Sequence, residues 1–308
     1  MKDSGQFPVT SGRRRRRPYL LSAVYCLLLL AGAVTMLLPL LWMISTSLKD
    51  SAAAVGDPLA WIPREAGRIR LHFENYAAAW TAIKLEDYRL FRVFRVENGF
   101  ALFYLNSLFV ASCVTLGQVF TSSLAAFAFA RLRFPGRDKL FLGYLATMMV
   151  PFLVMMIPVF VLLRRLGMLD SYQGLILPGI FSAYGTFMLR QFFLTVPWEL
   201  QEAARVDGAS WWSVYWRIVM PLCKPALATL TTFTFLHTWN DFIWPLIVVK
   251  SDQFKTLPLG LQSFQGLYVT NWTQLMAASA IFMVPVIIVF VLNQRFFVRG
   301  IMLSGIKG

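Results

Sequence analysis

The chain has 308 residues, of which 57% are hydrophobic and 14% charged, and its formal net charge is +14. Soluble chains carry about a quarter charged residues, so this composition excludes an ordinary soluble globule, which would lack polar surface to cover itself. The positive charge would suit nucleic acid, but its distribution along the chain follows membrane topology instead and needs no such partner.

Residues 1–102 read as a cytoplasmic basic tail, a first transmembrane helix and an extracytoplasmic loop. The arginines at 13–17 read as a tail facing lipid headgroups. The uncharged run at 19–45 well exceeds the roughly 7–15 residues of a signal-peptide core. It is expected to remain as an anchor, with cleavage near Ala52-Ala53-Ala54 as the alternative. The outer loop holds Trp61-Ile62-Pro63 and Phe73-Glu74-Asn75-Tyr76, and reads as a small folded cap or an extended strap.

Further apolar runs occupy 103–130, 140–163, 171–189, 225–249 (interrupted by Asp241) and 273–294. Each approaches or exceeds the roughly 20 residues a helix needs to cross hydrocarbon. Unbroken apolar runs also argue against the alternating strands of a membrane barrel. The expected fold is an all-α membrane protein with six transmembrane helices and both termini cytoplasmic. Its core is 103–297, with a cytoplasmic loop at 197–222 and a cytoplasmic tail at 298–308.

That orientation places Arg131, Arg133, Arg137, Lys139, Arg205 and Arg217 inside, the positive-inside pattern. Arg164 and Arg165, next to Asp170, fall on the outer side and fit less well. A competing topology deletes the fourth span and puts 201–221 outside. The Arg131–Arg137 loop reads as a tight basic turn ended by Pro135-Gly136. Pro39, Pro151 and Pro158 lie inside spans, as kinks a moving bundle uses or as static irregularities. Cys26, Cys113 and Cys223 show no CxxC spacing and read as apolar fillers.

A polar interruption, QEAARVDGASWWSVYWRIVMP at 201–221, separates two apolar runs. Pro197 suits a first helical turn, and Glu199 and Glu202 lie near the positive end of the helix dipole. Gly208 is a natural left-handed terminator. Ser210 then caps a second helix over 211–219, which Pro221 is expected to close. The spacing predicts helix, turn, helix on the cytoplasmic face. An interfacial amphipathic helix is the alternative, because Trp198, Trp211, Trp212, Tyr215 and Trp216 suit the headgroup level.

Glu202-Ala203-Ala204, then Gly208, then Ile218-Val219-Met220-Pro221 resembles the EAA-x3-G-x9-I-x-L-P signature of binding-protein-dependent ABC importer permeases, with Met220 in place of leucine. Asn106-Ser107, Trp239-Asn240-Asp241-Phe242-Ile243-Trp244-Pro245-Leu246, the ending Phe297-Val298-Arg299-Gly300 … Ser304-Gly305-Ile306-Lys307-Gly308 and the outer-loop motifs look like the carbohydrate (MalG-like) branch. The resemblance implies the type I (MetI-like) permease fold. It further implies a second permease subunit (MalF-like), two ABC ATPase subunits, an extracytoplasmic solute-binding protein and a lipid bilayer around the chain.

No G-x-x-x-x-G-K-[ST], H-E-x-x-H or G-x-S-x-G occurs, so the chain has no phosphate-cradling loop of that type. By the resemblance, the chain is a transport subunit without catalytic residues, metal or cofactor of its own, and ATP and Mg belong to the partner ATPase. Glu202, Ala203, Ala204, Asp207, Gly208, Ile218 and Pro221 are then the ATPase-coupling residues. When the ATPases close, this elbow would drag the fourth and fifth spans and switch the bundle between inward-facing and outward-facing.

Trp239, Asn240, Asp241 and Trp244 are candidates for the solute path. An acid within a span is a functional candidate, and the indoles would stack on a sugar face. The alternative for Asp241 is a structural pair with backbone amides or Asn240, or a position near the outer mouth where water reaches it. The solute expected is a sugar, such as a di- or oligosaccharide. The rivals are an ABC importer permease for an amino acid, polyamine or phosphate ester, a secondary transporter, for which further intramembrane acids and an internal repeat are missing, and a membrane enzyme, for which no catalytic pair presents itself.

Overall fold

The structure, a computed structural model, describes residues 17–57, 59–65, 68–90, 94–266 and 270–304. The arginines at 13–16 and the Gly305–Gly308 ending lie outside the described residues.

Helix α1 (Arg17–Ser47) runs unbroken through Pro39. Within the bundle it packs mainly against the last helix, and its apolar side chains from Leu27 to Leu38 stand exposed. That is the surface of a helix solvated by lipid or by another subunit. The outer loop folds as a cap. It comprises α2 (Ser51–Gly56), the antiparallel pair β1 (Arg64–Glu65) and β2 (Arg68–Ile69), α3 (Glu74–Thr81), and the antiparallel pair β3 (Lys84–Leu90) and β4 (Phe94–Asn98). These hairpins, with an isolated antiparallel bridge between Gln265 and Thr270, depart from an all-α chain.

The outer-loop motifs earn their place by tying this cap to the end of α1. The Asn75 amide donates to the Ser47 and Lys49 carbonyls, both at 2.8 Å, and the Tyr76 hydroxyl lies 2.8 Å from that of Ser47. The Ser45 hydroxyl donates to the Trp61 carbonyl.

Helix α4 (Gly99–Arg131) begins where Asn98 caps the Ala101 N–H. It is the axis of the molecule, because buried residues occur along its whole length, from Phe100 to Arg131. Small residues let its neighbours approach closely, as is usual between membrane helices. A Cβ at Gly185 would lie 2.6 Å from the Ser122 hydroxyl, and one at Gly117 would lie 2.7 Å from the Ile180 side chain.

After the left-handed turn at Gly136 (φ 77°) come α5 (Arg137–Ala146) and α6 (Phe152–Arg165), bent by 99°. Pro151 causes the break, since it holds Val150 in extended backbone. Pro158, by contrast, lies inside α6. The apolar run expected as a fourth span is itself interrupted: α7 (Tyr172–Ile176), a tight turn at Leu177–Gly179 containing Pro178, then α8 (Ala183–Thr195) capped by Ser182.

The elbow follows as α9 (Trp198–Val206), α10 (Trp211–Val214), a wide π-helical turn (Tyr215–Val219) and α11 (Met220–Leu222). Then come α12 (Lys224–Trp239), α13 (Ile243–Val248), α14 (Leu257–Leu261) and the long α15 (Trp272–Ser304).

Among the described residues, three helices are long and apolar enough to cross a membrane: Ser22–Ser47, Gly99–Arg131 and Trp272–Phe296. The count rises to five if each of two bent pairs is one span, the second pair being Trp211–Leu222 with Lys224–Trp239 at 79°. Three cores hold the bundle. One sits at the cap end around Phe100, Trp239 and Leu257, one behind the elbow around Phe193, Tyr215 and Leu230, and one between α4, α7 and α13 around Val110 and Trp244.

Candidate functional site

The elbow is built from local signals. Pro197 precedes α9, and Glu199 stands in its first turn. Gly208, at φ 83°, ends α9 in a Schellman motif: Ala209 N–H reaches the Ala204 carbonyl (2.9 Å) and Gly208 N–H the Arg205 carbonyl (3.1 Å). Ser210 accepts from the Ser213 N–H at 3.2 Å and starts the second helix. Arg205 clasps the turn from the side. It donates to the Ala209 carbonyl at 2.6 Å and stacks over Trp211 at 4.9 Å.

Pro221 does not stop the second helix as the spacing suggests. The helix continues to Leu222, and Pro221 lies within its last turn. The reason is the π-helical turn just before it. Met220 N–H bonds to the Tyr215 carbonyl, one residue further back than in an α-helix. The widened turn accommodates a proline that would clash in regular geometry. The sharp stop comes at Cys223, after which α12 leaves at 79°.

This hook presents Glu202, Ala203, Asp207 and Gly208 to solvent. Ala204 and Ile218 are half-buried against the core behind it, and Pro221 is exposed. Two features escape the spacing argument. Val206 is 86% exposed at the tip, an apolar side chain with no cover of its own. The Trp198 indole donates to Glu202 Oε1 at 2.7 Å and sits beneath Arg131 and Arg133, whose guanidiniums lie 5.5 and 5.7 Å from its ring.

Arg131 itself is buried at the end of α4. It donates to the Phe193 carbonyl and, at 2.6 Å, to the Val196 carbonyl. The end of α4, the end of α8 and the start of α9 are thereby locked together. Between them lies a groove of about 760 Å³, lined in part by Arg133, Trp198, Gln201, Glu202 and Arg205.

The second helix of the hook is fixed as firmly. Tyr215, which an interfacial arrangement would place among headgroups, is fully buried, and its hydroxyl lies 2.7 Å from that of Ser123 on α4. Trp212 and Trp216 remain about half exposed, as interfacial tryptophans do. The elbow is thus bound to α4 as well as to the two helices it joins.

At the other end of the bundle, Trp239 and Trp244 are packed into cores, while Asn240 is exposed. Trp239 has no exposed surface: it stacks on Phe235 and Phe282 and donates to the Phe282 carbonyl at 3.1 Å. Trp244 is 5% exposed and donates to the Gly174 carbonyl at 3.1 Å. Asn240 is exposed, its amide turned back to the Leu236 carbonyl at 2.7 Å. Asp241 occupies the break between α12 and α13, where its carboxylate accepts the Trp244 N–H at 3.2 Å. Asp241 thus makes a backbone-amide contact of the kind raised as its alternative.

Asn106 and Ser107 are joints too. The Asn106 amide donates to the Gln253 and Lys255 carbonyls at 2.8 and 2.9 Å and accepts from the Tyr172 hydroxyl at 2.7 Å. Ser107 accepts the Leu257 N–H at 2.7 Å. The loop after α13 is further pinned by Asp170, which accepts from Lys250 N–H, Ser251 N–H and the Ser251 hydroxyl at 2.9, 2.9 and 3.0 Å. Burial opposes that carboxylate, but these three donors outweigh it and hold its pKa below the ordinary value.

Comparison with known proteins agrees with this arrangement. Residues 118–303 match the family described as binding-protein-dependent transport system inner membrane component. The chain is 35% identical over 282 residues to the sn-glycerol-3-phosphate transport system permease protein UgpE of Yersinia pestis, covering 90% of this chain and 95% of that protein. It is 39% identical over 214 residues to the arabinooligosaccharides transport system permease protein AraQ of Bacillus subtilis, covering 68% and 76%.

The fold matches a chain of a bacterial ABC transporter involved in the import of the acidic polysaccharide alginate, with a TM-score of 0.76 at 24% identity, over 94% of this chain and 100% of that one. The hook, the helical bundle and the extent of these likenesses lead to one conclusion: this chain belongs to the family of inner membrane components of binding-protein-dependent transport systems.

Proposed function

We propose that the chain is the permease subunit of an ATP-driven importer that moves a carbohydrate across the cytoplasmic membrane by alternating access. The observation that carries this reading is the exposed Glu202–Gly208 turn, held rigid by a Schellman motif and welded to three membrane helices. A rigid knob with small side chains suits a cleft on an ATPase, and its attachments suit it to pass motion to α4, α8 and α12. Coupling of this kind requires an element with two positions that both sites bias. Glu202, Ala203, Ala204, Asp207, Gly208, Ile218 and Pro221 form or support that knob. ATP and Mg belong to the partner, and this chain holds no cofactor in the proposed cycle.

The topology proposed has six crossings, counting the interrupted segment 172–195 as one, with both termini and the elbow in the cytoplasm. The partners proposed are a second permease subunit, two ATPase subunits and an extracytoplasmic binding protein. A carbohydrate is the preferred solute because a relative carries the name of an arabinooligosaccharide system. A phosphate ester is the second reading, favoured by 43% identity over 204 residues to UgpE of Pectobacterium atrosepticum.

The test is reconstitution of the whole transporter in proteoliposomes with its binding protein. Expected are ATP-dependent uptake of a labelled saccharide and a cross-link between Ala203→Cys and the ATPase subunit. Uptake without any ATPase subunit, or labelling of Ala203→Cys from the extracellular side of intact cells, would sink the reading.

A further inference from the structure

The four residues that the sequence suggests for the solute path are occupied elsewhere, yet a different polar cavity lies in the membrane part of the bundle. It measures about 290 Å³ and is lined by Gln118 of α4, Ser182 and Tyr184 at the start of α8, and Leu230, Phe233, Thr234 and His237 of α12. Intramembrane polar side chains are costly and normally face a protein interior or a water-filled path. Here they do not exhaust one another. Gln118 Nε2 donates to Thr234 Oγ1 at 2.8 Å across the floor, while Tyr184 (46% exposed) and His237 stand at the mouth beside Phe233 (51% exposed). Tyr184 and His237 would be poorly solvated by hydrocarbon, so this mouth points to an aqueous space rather than to lipid.

The chemistry of the lining identifies the occupant. Hydroxyl, amide and imidazole groups stand beside two aromatic rings, an arrangement that hydrogen-bonds the rim of a sugar and covers its apolar face. None of the lining residues is Arg or Lys, the groups that recognise a phosphoryl oxygen. The volume is at the small end of ligand sites, about 300 Å³, which suits one ring at a time. We propose that the Gln118–Tyr184–Thr234–His237 cavity is a passage subsite for a single sugar ring of the solute. This deepens the carbohydrate reading above and rests on it; the water accessibility of the cavity does not.

The experiment has two arms, both on the assembled transporter in nanodiscs or proteoliposomes, with assembly checked by size-exclusion elution. In the first, Cys26, Cys113 and Cys223 are replaced by alanine, and His237→Cys or Tyr184→Cys is treated with a charged methanethiosulfonate reagent, with and without vanadate trapping. Leu28→Cys, exposed on α1, is the lipid-facing control. Labelling at least tenfold faster than the control in one nucleotide state is expected. Labelling as slow as the control in both states overturns the subsite.

In the second arm, uptake of labelled arabinotriose, maltose and sn-glycerol 3-phosphate is compared for the native chain, Gln118→Leu and His237→Leu. A tenfold loss of saccharide uptake with assembly intact is expected. Unchanged saccharide uptake in both variants overturns the subsite. Uptake of sn-glycerol 3-phosphate but of no saccharide by the native transporter overturns the carbohydrate reading and the sugar-ring assignment together, while the thiol arm still decides whether the cavity lies on the path.

Discussion

The hydroxyls of Tyr215 and Ser123 face each other at 2.7 Å with neither side chain exposed, joining the hook to the central helix α4. Tyr215→Phe keeps the ring contact with Phe127 and leaves Ser123 its bond to the Phe120 carbonyl at 2.9 Å. The loss should therefore be that of one hydrogen bond, about 1 kcal/mol. We expect normal assembly and a fall in solute moved per ATP hydrolysed, read by paired uptake and phosphate-release assays.

Gly208 holds a left-handed backbone that costs other residues about 1–2 kcal/mol. Gly208→Ala should lower the transporter's Tm slightly and spare coupling. Gly208→Pro cannot adopt that φ and removes the N–H that closes the turn on Arg205. Its transporter should still insert and hydrolyse ATP while uptake falls to background. Normal uptake by Gly208→Pro would contradict the rigid-hook scheme.

Trp239 is a core residue in this conformation, so Trp239→Ala should cost about 3–5 kcal/mol and show as loss of assembled complex on size-exclusion chromatography. Asp241→Asn retains an acceptor for the Trp244 N–H and should leave the KM for solute unchanged. Asp241→Ala should lower Tm by an amount equivalent to about 1 kcal/mol. A changed KM in Asp241→Asn would return this residue to the solute path.

Asp170 gives a pH signature. Its pKa is lower in the folded chain than in the unfolded one, so its stabilisation is fully present above the unfolded value, about 3.9, and is lost as pH falls through the folded value. Asp170→Asn should therefore lower the Tm at pH 7. The gap between variant and native chain should shrink below about pH 4, as followed by thermal scanning in detergent.

The hook was legible in the sequence because its determinants are local. Pro197, Gly208 and Ser210 act on backbone groups within one turn, and their spacing specifies helix, turn, helix wherever the segment lies. The end of the second helix was less legible: a proline ordinarily stops a helix, and the π-helical turn that admits Pro221 leaves no sign in composition. The sequence left this segment open as a folded cap or an extended strap, because Asn75 and Tyr76 act by reaching back to Ser47 and Lys49.

Membrane residence and the helix–turn–helix shape of the hook follow from the chain alone, since both depend on contiguous apolar runs and on short-range spacing. Which polar side chains are spent on the scaffold was decided by tertiary structure. In helices apolar on nearly every side, periodicity does not say which face turns inward. Asn106 holds carbonyls 147 and 149 residues away, and Trp239 closes on a carbonyl 43 residues away. Gln118, Tyr184 and His237, which no motif singles out, are brought to one cavity only when α4, α8 and α12 pack together.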